Sequence, residues 1–312
     1  MPIAKSPGII SFGGLEKVTH FNKIAIIGVG LLGGSISLGC KKFAVVNERI
    51  GFGRNRQNLE KALQAGVIDV IGDDLKSSVQ DAGLVVLCAP VGSLVTLAEQ
   101  VLEFVKPGCI LTDVGSVKGS VVQNISSLIP ENVYFVGSHP IAGGEQSGFQ
   151  AASAELLEGA KCIVTPDKET SAEVLQKLSA FWEAIGMQVV RLSSEEHDWI
   201  YGAVSHLPHI VAYALMNTIG ETQTKSYDNI TSFSGSGLRD CTRIAASNPV
   251  MWRDICVSNK DALLQLIDQF ENTLGKMRTW IETENASELE NSFDKANEYQ
   301  RNINGTGNDC RH

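Results

Sequence analysis

The sequence predicts an α/β protein in which a doubly wound, mostly parallel sheet is followed by a second, all-helical domain. Up to about residue 192, short apolar runs rich in β-branched residues alternate with helical patterns, as in consecutive β-α-β units. From Ser193 onward the chain has helical patterns and no strand-like run. The length of 312 residues also exceeds that of one typical core, so two domains are expected.

The first domain is expected to span residues 23–192, after an N-terminal extension at 1–22. Buried parallel strands have continuous apolar runs, and such runs lie at 23–28, 50–53, 84–89, 109–113 and 133–136. The helical patterns between them cover 31–43, 57–65, 93–105 and 117–129. The same layer is expected to continue with a strand at 161–165, a helix at 169–185 and a strand at 187–192.

The second domain is expected to span 193–303, followed by a polar tail at 304–312. Cap patterns mark three helix starts. They are the capping box of Ser193 and Glu196, the cap and first-turn proline Asn248–Pro249 before a periodic stretch at 250–282, and Ser287 with Glu290.

The composition argues against several partners and ligands. A net charge of -9 and a pI near 5.2 repel phosphate polymers and anionic membranes, so neither nucleic acid nor a membrane is expected as a partner. The seven cysteines form no CxxC pair and no metal-ligand spacing, which predicts reduced thiols, no metal site and a cytoplasmic location. The uncharged stretch at 199–220 contains His206, Pro208, His209 and Asn217, which do not suit a lipid-facing span, and it is expected to be a helix buried in protein.

A glycine-rich loop follows the first predicted strand and opens the first predicted helix. Its GxGxxG pattern in this context predicts a Rossmann-like dinucleotide site. Gly28 allows the tight turn, Gly30 lets the backbone approach a pyrophosphate, and Gly33 permits close helix packing. The other residues expected to contact the cofactor are Leu31 and Leu32 in the loop, and Ala89 and Pro90 at the end of the strand at 84–89.

The end of the second strand bears on the choice of cofactor. NAD-binding sites usually place a carboxylate there to bind the ribose 2′-hydroxyl, whereas this chain reads Gly53-Arg54-Asn55-Arg56. Arg54 and Arg56 are suited to pairing with a 2′-phosphate. The sequence therefore favours NADP, with NAD as the alternative if both arginines are solvated surface residues.

Polar clusters in three further regions point to a catalytic site. They are DVGSVKG at 113–119, GSHPIAGGEQSG at 137–148, and SHLPH at 205–209 with GLRDCTRIAASNPVMWRDI at 237–255. The first two follow strands at the edge where open α/β sheets bind ligands. His139 is flanked by glycines and expected on a rigid turn held by Pro140, which favours a catalytic over a structural role.

These motifs, in this order and spacing, resemble the prephenate/arogenate dehydrogenase family, and the resemblance runs from about residue 23 to 280. It implies a dinucleotide-binding domain joined to a helical dimerisation domain, a homodimer, and a site between the two domains. In that family's reaction, the C4 hydroxyl of a cyclohexadiene becomes a carbonyl as hydride leaves for nicotinamide. Loss of the ring carboxylate as carbon dioxide then makes the ring aromatic.

The resemblance also implies residue roles. His139 would be the base or hydrogen-bond acceptor for the hydroxyl proton, a task suited to a neutral imidazole, and Ser116 would orient that hydroxyl. Arg243 would bind the substrate carboxylate, the alternative being a helix cap or a pair with Asp240 or Asp254.

Four further residues are expected near the substrate. His209 is expected to bind it, His206 is equally compatible with binding and packing, and Arg239 would reach toward a neighbouring subunit's site. Glu145 matches an acidic family position beside the substrate side chain. The adjacent Gly144 stands where the family has a side chain, which leaves prephenate and arogenate both open as substrates.

Two other classes of protein compete with this interpretation. The β-hydroxyacid dehydrogenases share the two-domain plan but use a lysine on the first helix after the nucleotide-binding domain, and residues 193–217 contain none. A non-catalytic nucleotide sensor would bind the dinucleotide as an effector. It predicts that His139 is dispensable.

Overall fold

In the computed structural model, the described residues are 20–144, 148–224 and 230–305. The strands of these segments are β1 (Phe21–Ile27), β2 (Val46–Phe52), β3 (Val70–Ile71), β4 (Leu84–Leu87), β5 (Ile110–Asp113), β6 (Tyr134–Phe135), β7 (Gly137–Pro140), β8 (Lys161–Thr165) and β9 (Gln188–Arg191). The helices are α1 (Leu31–Phe43), α2 (Arg56–Gln64), α3 (Leu75–Val79), α4 (Leu94–Leu102), α5 (Gly119–Ser126), α6 (Ala172–Ala184), α7 (Ser194–Tyr201), α8 (Leu207–Glu221), α9 (Ser236–Thr242), α10 (Pro249–Ser258), α11 (Lys260–Glu282) and α12 (Ala286–Gly305).

The first six strands form one parallel sheet in the order β3-β2-β1-β4-β5-β6. The chain leaves β1 toward one edge of the sheet and returns to β4 to build the other. The carboxyl ends of β1 and β4 therefore flank a topological switch point, where open sheets of this kind bind ligands. The α/β class, the parallel sheet and the helical second domain are confirmed.

Burial on both faces explains why these strands have no polar alternation. Ile24 and Ile26 of β1 pack into the core on one face, while Ala25 and Ile27 pack into the core on the other. All four residues of β4 are buried as well. A parallel strand covered by helices on both sides needs apolar residues at every position.

The strands β7, β8 and β9 form a separate sheet, so the expectation that the later strands extend the same layer was wrong. β7 was also expected as a turn, because Gly137 and Pro140 are both rare inside strands. Both fit here for physical reasons. β7 is an edge strand, antiparallel to β8, and Thr165 lies so close to Gly137 that a Cβ there would be 2.6 Å from its hydroxyl oxygen.

The helical domain begins with α7, whose capping box joins Ser193 and Glu196 through two hydrogen bonds of 3.1 Å. A π-helical turn at Gly202–His206 leads into α8. The stretch expected as one helix from residue 250 is divided at Asn259 into α10 and α11. Asn285, rather than Ser287, caps α12. Among the described helices, none has the length and hydropathy needed to cross a membrane.

The two domains are joined through α10. Its Trp252 and Ile255 pack into the core that contains Val91 and Leu94, which lie just after β4. α7 packs against α5 of the first domain in addition. The helical domain is thereby held beside the carboxyl edge of the main sheet.

Candidate active site

The cofactor loop has the geometry of an anion cradle at the switch point. Gly28 has a φ of +107° and lies so close to β4 that a Cβ would be 2.2 Å from the carbonyl oxygen of Cys88. A Cβ on Gly33 would be 2.2 Å from the carbonyl oxygen of Gly28, whereas a Cβ on Gly30 would meet no atom within 4 Å. Gly30 therefore borders open space at the first turn of α1.

The start of α1 suits a phosphate. Gly30 is its N-cap residue, no side chain caps the helix, and its first turn contains no acidic residue. Backbone N–H groups and the positive end of the helix dipole face outward there. Leu31, Leu32 and Ala89 are half-buried around this opening and Pro90 is exposed beside it, so these residues fit a bound dinucleotide.

The two candidate arginines after β2 have different surroundings. Arg54 is exposed just beyond the strand. Arg56 begins α2 and pairs with Asp73 at 3.3 Å and with Glu60 at 3.6 Å. Of the two, Arg54 is the better placed to meet a ribose substituent.

The loop after β5 carries Ser116 and is anchored by a buried ion pair. Lys118 and Asp113 are both fully buried and in direct contact through Nζ and Oδ2. Asp113 also accepts hydrogen bonds from the backbone N–H of Gly115 at 2.8 Å and from that of Ser138 at 3.3 Å. One carboxylate thus fixes both the Ser116 loop and the residue before His139.

The catalytic candidate His139 lies on β7 opposite Ile163. Its Nδ1 lies 2.8 Å from Nε2 of His197, and Nδ1 of His197 lies 2.8 Å from Oδ1 of Asp198. Both partners belong to α7 of the helical domain. Because Nδ1 of His139 is engaged, Nε2 is the ring atom left for a ligand.

The surroundings of His139 keep its imidazole neutral. Burial lowers the pKa of His139 well below its usual value, and the neighbouring His197, Lys118 and His206 lower it further. Burial likewise lowers the pKa of His197, against the opposing effect of Asp198. A neutral imidazole is the state that accepts a proton.

His206 contacts protein groups on both sides. Its Nδ1 lies 3.0 Å from Nδ2 of Asn259, and it makes a hydrogen bond with the backbone of Ser116. Burial lowers the pKa of His206 to about 4. Of the two roles that the sequence left open for His206, these contacts favour positioning the Ser116 loop.

His209 lies in the first turn of α8, in contact with Trp252 of α10. Its ring stacks on Trp252 at 3.5 Å between centroids, and its Nδ1 lies 2.9 Å from the carbonyl oxygen of Ser205. Burial lowers the pKa of His209, and the positive charge of Arg243 also lowers it. His209, Trp252 and Arg243 therefore form one group at the start of α8 and α10.

The remaining candidates have less defined surroundings. Arg239 is exposed on α9 and donates to the carbonyl oxygen of Ser234 at 3.3 Å. Asp254, an alternative partner for Arg243, pairs with Arg253. Gly144 lies beside Leu31 of the cofactor loop, and Glu145 lies outside the described residues.

Sequence reasoning missed the second row of the site, namely Asp113 with Lys118, His197 with Asp198, and Trp252. One of these pairs lies where the local sequence gives no sign of burial. His197 and Asp198 are adjacent ionisable residues that are both buried, although they lie in a helix whose first turn is acidic and exposed.

Comparison with known proteins identifies the family of this chain. The family model described as prephenate dehydrogenase, nucleotide-binding domain, matches residues 39–191, and the model described as prephenate dehydrogenase, dimerization domain, matches residues 193–295. Prephenate dehydrogenase of Bacillus subtilis (strain 168) is 37% identical over 278 residues, covering 89% of this chain and 75% of the relative. Cyclohexadienyl dehydrogenase of Zymomonas mobilis is 36% identical over 281 residues, covering 88% and 94%.

Solved structures of prephenate and arogenate dehydrogenases superpose on this chain. Prephenate dehydrogenase from Aquifex aeolicus, in complex with hydroxyphenyl propionate and NAD+, superposes with a TM-score of 0.85 and 33% identity, covering 90% of this chain and 98% of the other. Arogenate dehydrogenase from Synechocystis gives a TM-score of 0.79 and 27% identity, with coverage of 90% and 99%. The chain belongs to the prephenate dehydrogenase family and is an oxidoreductase with a nicotinamide-binding domain.

Proposed function

We propose that this protein oxidises and decarboxylates prephenate to 4-hydroxyphenylpyruvate, a step of tyrosine formation, with arogenate as the alternative substrate. The observation that carries the proposal is the placement of His139. Its Nδ1 is engaged by His197, its Nε2 remains for a ligand, and it lies on the strand that shares the Asp113 carboxylate with the Ser116 loop. The relatives named above act on substrates of this class.

The chemistry assigned to the chain is proton removal and orientation. Nε2 of His139 accepts the proton of the C4 hydroxyl, and the Ser116 hydroxyl orients that group. A bound nicotinamide would accept the hydride from the same carbon. Loss of the ring carboxylate as carbon dioxide then yields the aromatic product.

Substrate binding is assigned to the group of His209, Trp252 and Arg243. The guanidinium of Arg243 is a planar fork that matches a carboxylate, and its positive charge acts on His209. With Nδ1 at the Ser205 carbonyl, His209 presents Nε2 as an acceptor for a substrate hydroxyl or amine. We also assign Glu145 to the substrate side chain and Arg239 to a neighbouring subunit's site.

The substrate proposal is tested by initial rates with prephenate or arogenate, each with NAD or NADP. The expected result is turnover of prephenate with release of carbon dioxide and of the reduced nicotinamide in equal amounts. Turnover of arogenate alone would move the assignment to the alternative substrate. Absence of turnover with all four pairs, in a protein that binds the cofactor, would contradict an enzymatic role.

For the cofactor we propose NADP, supported by the exposed Arg54 and by the absence of a carboxylate at 53–56. Arg56 supports it less, because two carboxylates already pair with it. Arg54→Ala is expected to weaken NADP binding more than NAD binding. Equal losses for the two cofactors would remove Arg54 from the site.

We further propose that the protein works as a homodimer formed by the helical domain, whose matched model is described as a dimerization domain. Large apolar side chains on its later helices are exposed in the single chain, among them Val257, Leu274, Ile281, Phe293 and Ile303. Contiguous exposed apolar surface marks interaction sites. A monomer in analytical ultracentrifugation at micromolar concentration would contradict this.

A further inference from the structure

Three side chains form a hydrogen-bonded chain that crosses from one domain to the other. Oδ1 of Asp198 lies 2.8 Å from Nδ1 of His197, and Nε2 of His197 lies 2.8 Å from Nδ1 of His139. His197 is fully buried and Asp198 is nearly so. His139 belongs to the first domain, while its two partners lie on α7 of the helical domain.

The direction of each hydrogen bond follows from Asp198, at one end of the three side chains. An ionised carboxylate only accepts hydrogen bonds, so Nδ1 of His197 carries a proton and donates it to Asp198. In neutral His197, Nε2 is then an acceptor. Nδ1 of His139 must donate to it, which leaves a lone pair on Nε2 of His139.

We propose that His197 is a positioning residue that holds His139 in the one tautomer able to act as the base, and that Asp198 in turn fixes His197. The inference rests on the proposed role of His139. Without an acceptor at its Nδ1, His139 would distribute between two tautomers, and the one protonated at Nε2 cannot take a proton from the substrate hydroxyl.

Asp198 is held in a fixed orientation by hydrogen bonds to its carboxylate and to its backbone. It accepts the backbone N–H groups of Lys118 and Gly119, each at 2.7 Å, at the N-terminus of α5. Its own backbone carbonyl accepts a hydrogen bond from Asn259 at 2.8 Å. The two backbone donors fix the direction in which this carboxylate faces His197.

The neighbours of the two imidazoles do not reverse this order. Lys118 is paired with Asp113, and His206 is bonded to Asn259 and the Ser116 backbone. The ring of Tyr201 contacts His139 at 4.9 Å and His197 at 4.7 Å between centroids. Tyr201 therefore packs against both rings, and packing alone is the competing explanation for His197.

Because these three hydrogen-bonded side chains come from both domains, the contact between the domains affects the proposed base. The Asp198 carboxylate is oriented by α5 of the first domain, and His197 reaches back to β7 of that domain. A change in how α7 packs against α5 would lengthen the hydrogen bonds from α5 to Asp198. It would also lengthen the hydrogen bond between His197 and His139. His139 is thus held in its proton-accepting tautomer only when the helical domain packs against the first domain.

Two substitutions separate positioning from packing. His197→Phe keeps a ring against Tyr201 but has no acceptor for His139. His197→Gln loses the ring but places an amide oxygen where it can accept from His139. A purely structural role predicts that the Phe variant is the less damaged, and positioning predicts the opposite.

The experiment measures steady-state kinetics of both variants in the full chain. His197→Phe is expected to lower kcat by about 10- to 1,000-fold, less than the roughly 10⁴-fold seen when a catalytic histidine is forced into the wrong tautomer, because the bias is removed rather than reversed. The KM values should stay within about threefold, since ground-state binding is untouched. His197→Gln should recover most of kcat.

Nitrogen-15 spectra of histidine-labelled protein give a readout that does not depend on turnover. In the unsubstituted protein, Nδ1 of His139 should be the protonated nitrogen and Nε2 the unprotonated one. In His197→Phe the two signals should move toward each other. The six histidines of the sequence make assignment by single substitutions practical.

The outcomes distinguish the positioning role of His197 from the proposed role of His139 as the base. If His197→Phe keeps full kcat and an unchanged His139 spectrum, or if the Phe variant is more active than the Gln variant, the positioning role is wrong. If His139→Asn retains activity while the spectra behave as expected, His139 is not the base, and the proposed function fails although the tautomer assignment holds.

Discussion

His139 shows how a single side chain is prepared by its surroundings. Burial removes water from the ring and lowers its pKa, and the positive charge of Lys118 adds to that effect. Protonation would abolish the acceptor, so the acid limb of the pH–rate profile should lie below pH 6.5. The proposed base is therefore neutral near pH 7.

Substrate binding at the residue scale is tested by Arg243→Ala. Loss of a charge-assisted bond to a carboxylate costs about 1.5–3 kcal/mol, so the substrate KM should rise about 10- to 100-fold while the cofactor KM changes little. Arg191→Ala, at an exposed position at the end of β9, is the matched control and should leave both values unchanged. An unaltered substrate KM in Arg243→Ala would contradict the assignment.

The sequence favoured His139 and the cofactor glycines as site residues because their local context is distinctive. A histidine between glycines and a proline, or a GxGxxG between a strand and a helix, is visible within a dozen residues. His197 was missed because its partner lies 58 residues away along the chain. Lys118 was missed for a related reason, since a lysine in a polar loop gives no sign that it is fully buried.

At the scale of elements, two short segments position the candidate site residues. β7 turns His139 toward α7, and the π-helical turn at Gly202–His206 adjusts the helix between His197 and His209. Pro208 contributes because it has no N–H to donate to the preceding turn. Gly202 allows α11 to approach, since a Cβ there would be 2.9 Å from Leu266.

The α1 loop gives an element-scale prediction that separates folding from binding. Gly33→Ala should destabilise the protein by about 1–3 kcal/mol, because the added methyl group meets the carbonyl of Gly28. Gly30→Ala should fold normally but bind the cofactor at least about tenfold more weakly, because the methyl group enters the space assigned to the pyrophosphate. Thermal unfolding and calorimetric titration measure the two effects.

Gly220→Ala, at an open position of α8, is the control: it should leave cofactor binding unchanged and should not destabilise the protein, because alanine is the better helix former. Gly30→Ala with undiminished cofactor affinity would show that the loop does not hold a pyrophosphate.

The whole molecule should lose stability in mild acid. Burial lowers the pKa of His206 to about 4 from its ordinary 6.5, so the unfolded chain takes up this proton first as the pH falls. The contribution of neutral His206 is complete above pH 6.5, falls as the pH drops toward 4, and amounts to about 3 kcal/mol. His139 and His197 act in the same direction.

Denaturant unfolding at pH 7.5 and pH 5, at one protein concentration, measures this effect. His206→Gln should be less stable than the unsubstituted protein at pH 7.5, because a buried hydrogen-bonded group is replaced. It should also lose less stability on acidification. An equal loss in the two proteins would show that His206 is not the buried neutral group responsible.

At the scale of the whole molecule, the sequence predicted two domains. Buried apolar residues recur at regular spacings, which distinguish the region of alternating strands and helices from the long helical region. The sequence did not predict the second sheet. The residues 137–140 carry no strand-like pattern, and their partners lie outside the local segment, since Gly137 pairs with Thr165 and Pro140 with Cys162. The same long-range contacts create the histidine chain, so the missed strand and the missed site residues have one cause.

The most direct test of the account is the initial rate of reduced-nicotinamide formation by His139→Asn with prephenate. Asparagine preserves polarity but cannot take up a proton near neutral pH. If His139 is the base, kcat should fall by at least about 100-fold, with the cofactor dissociation constant unchanged. Undiminished turnover in a folded, cofactor-binding variant would contradict it.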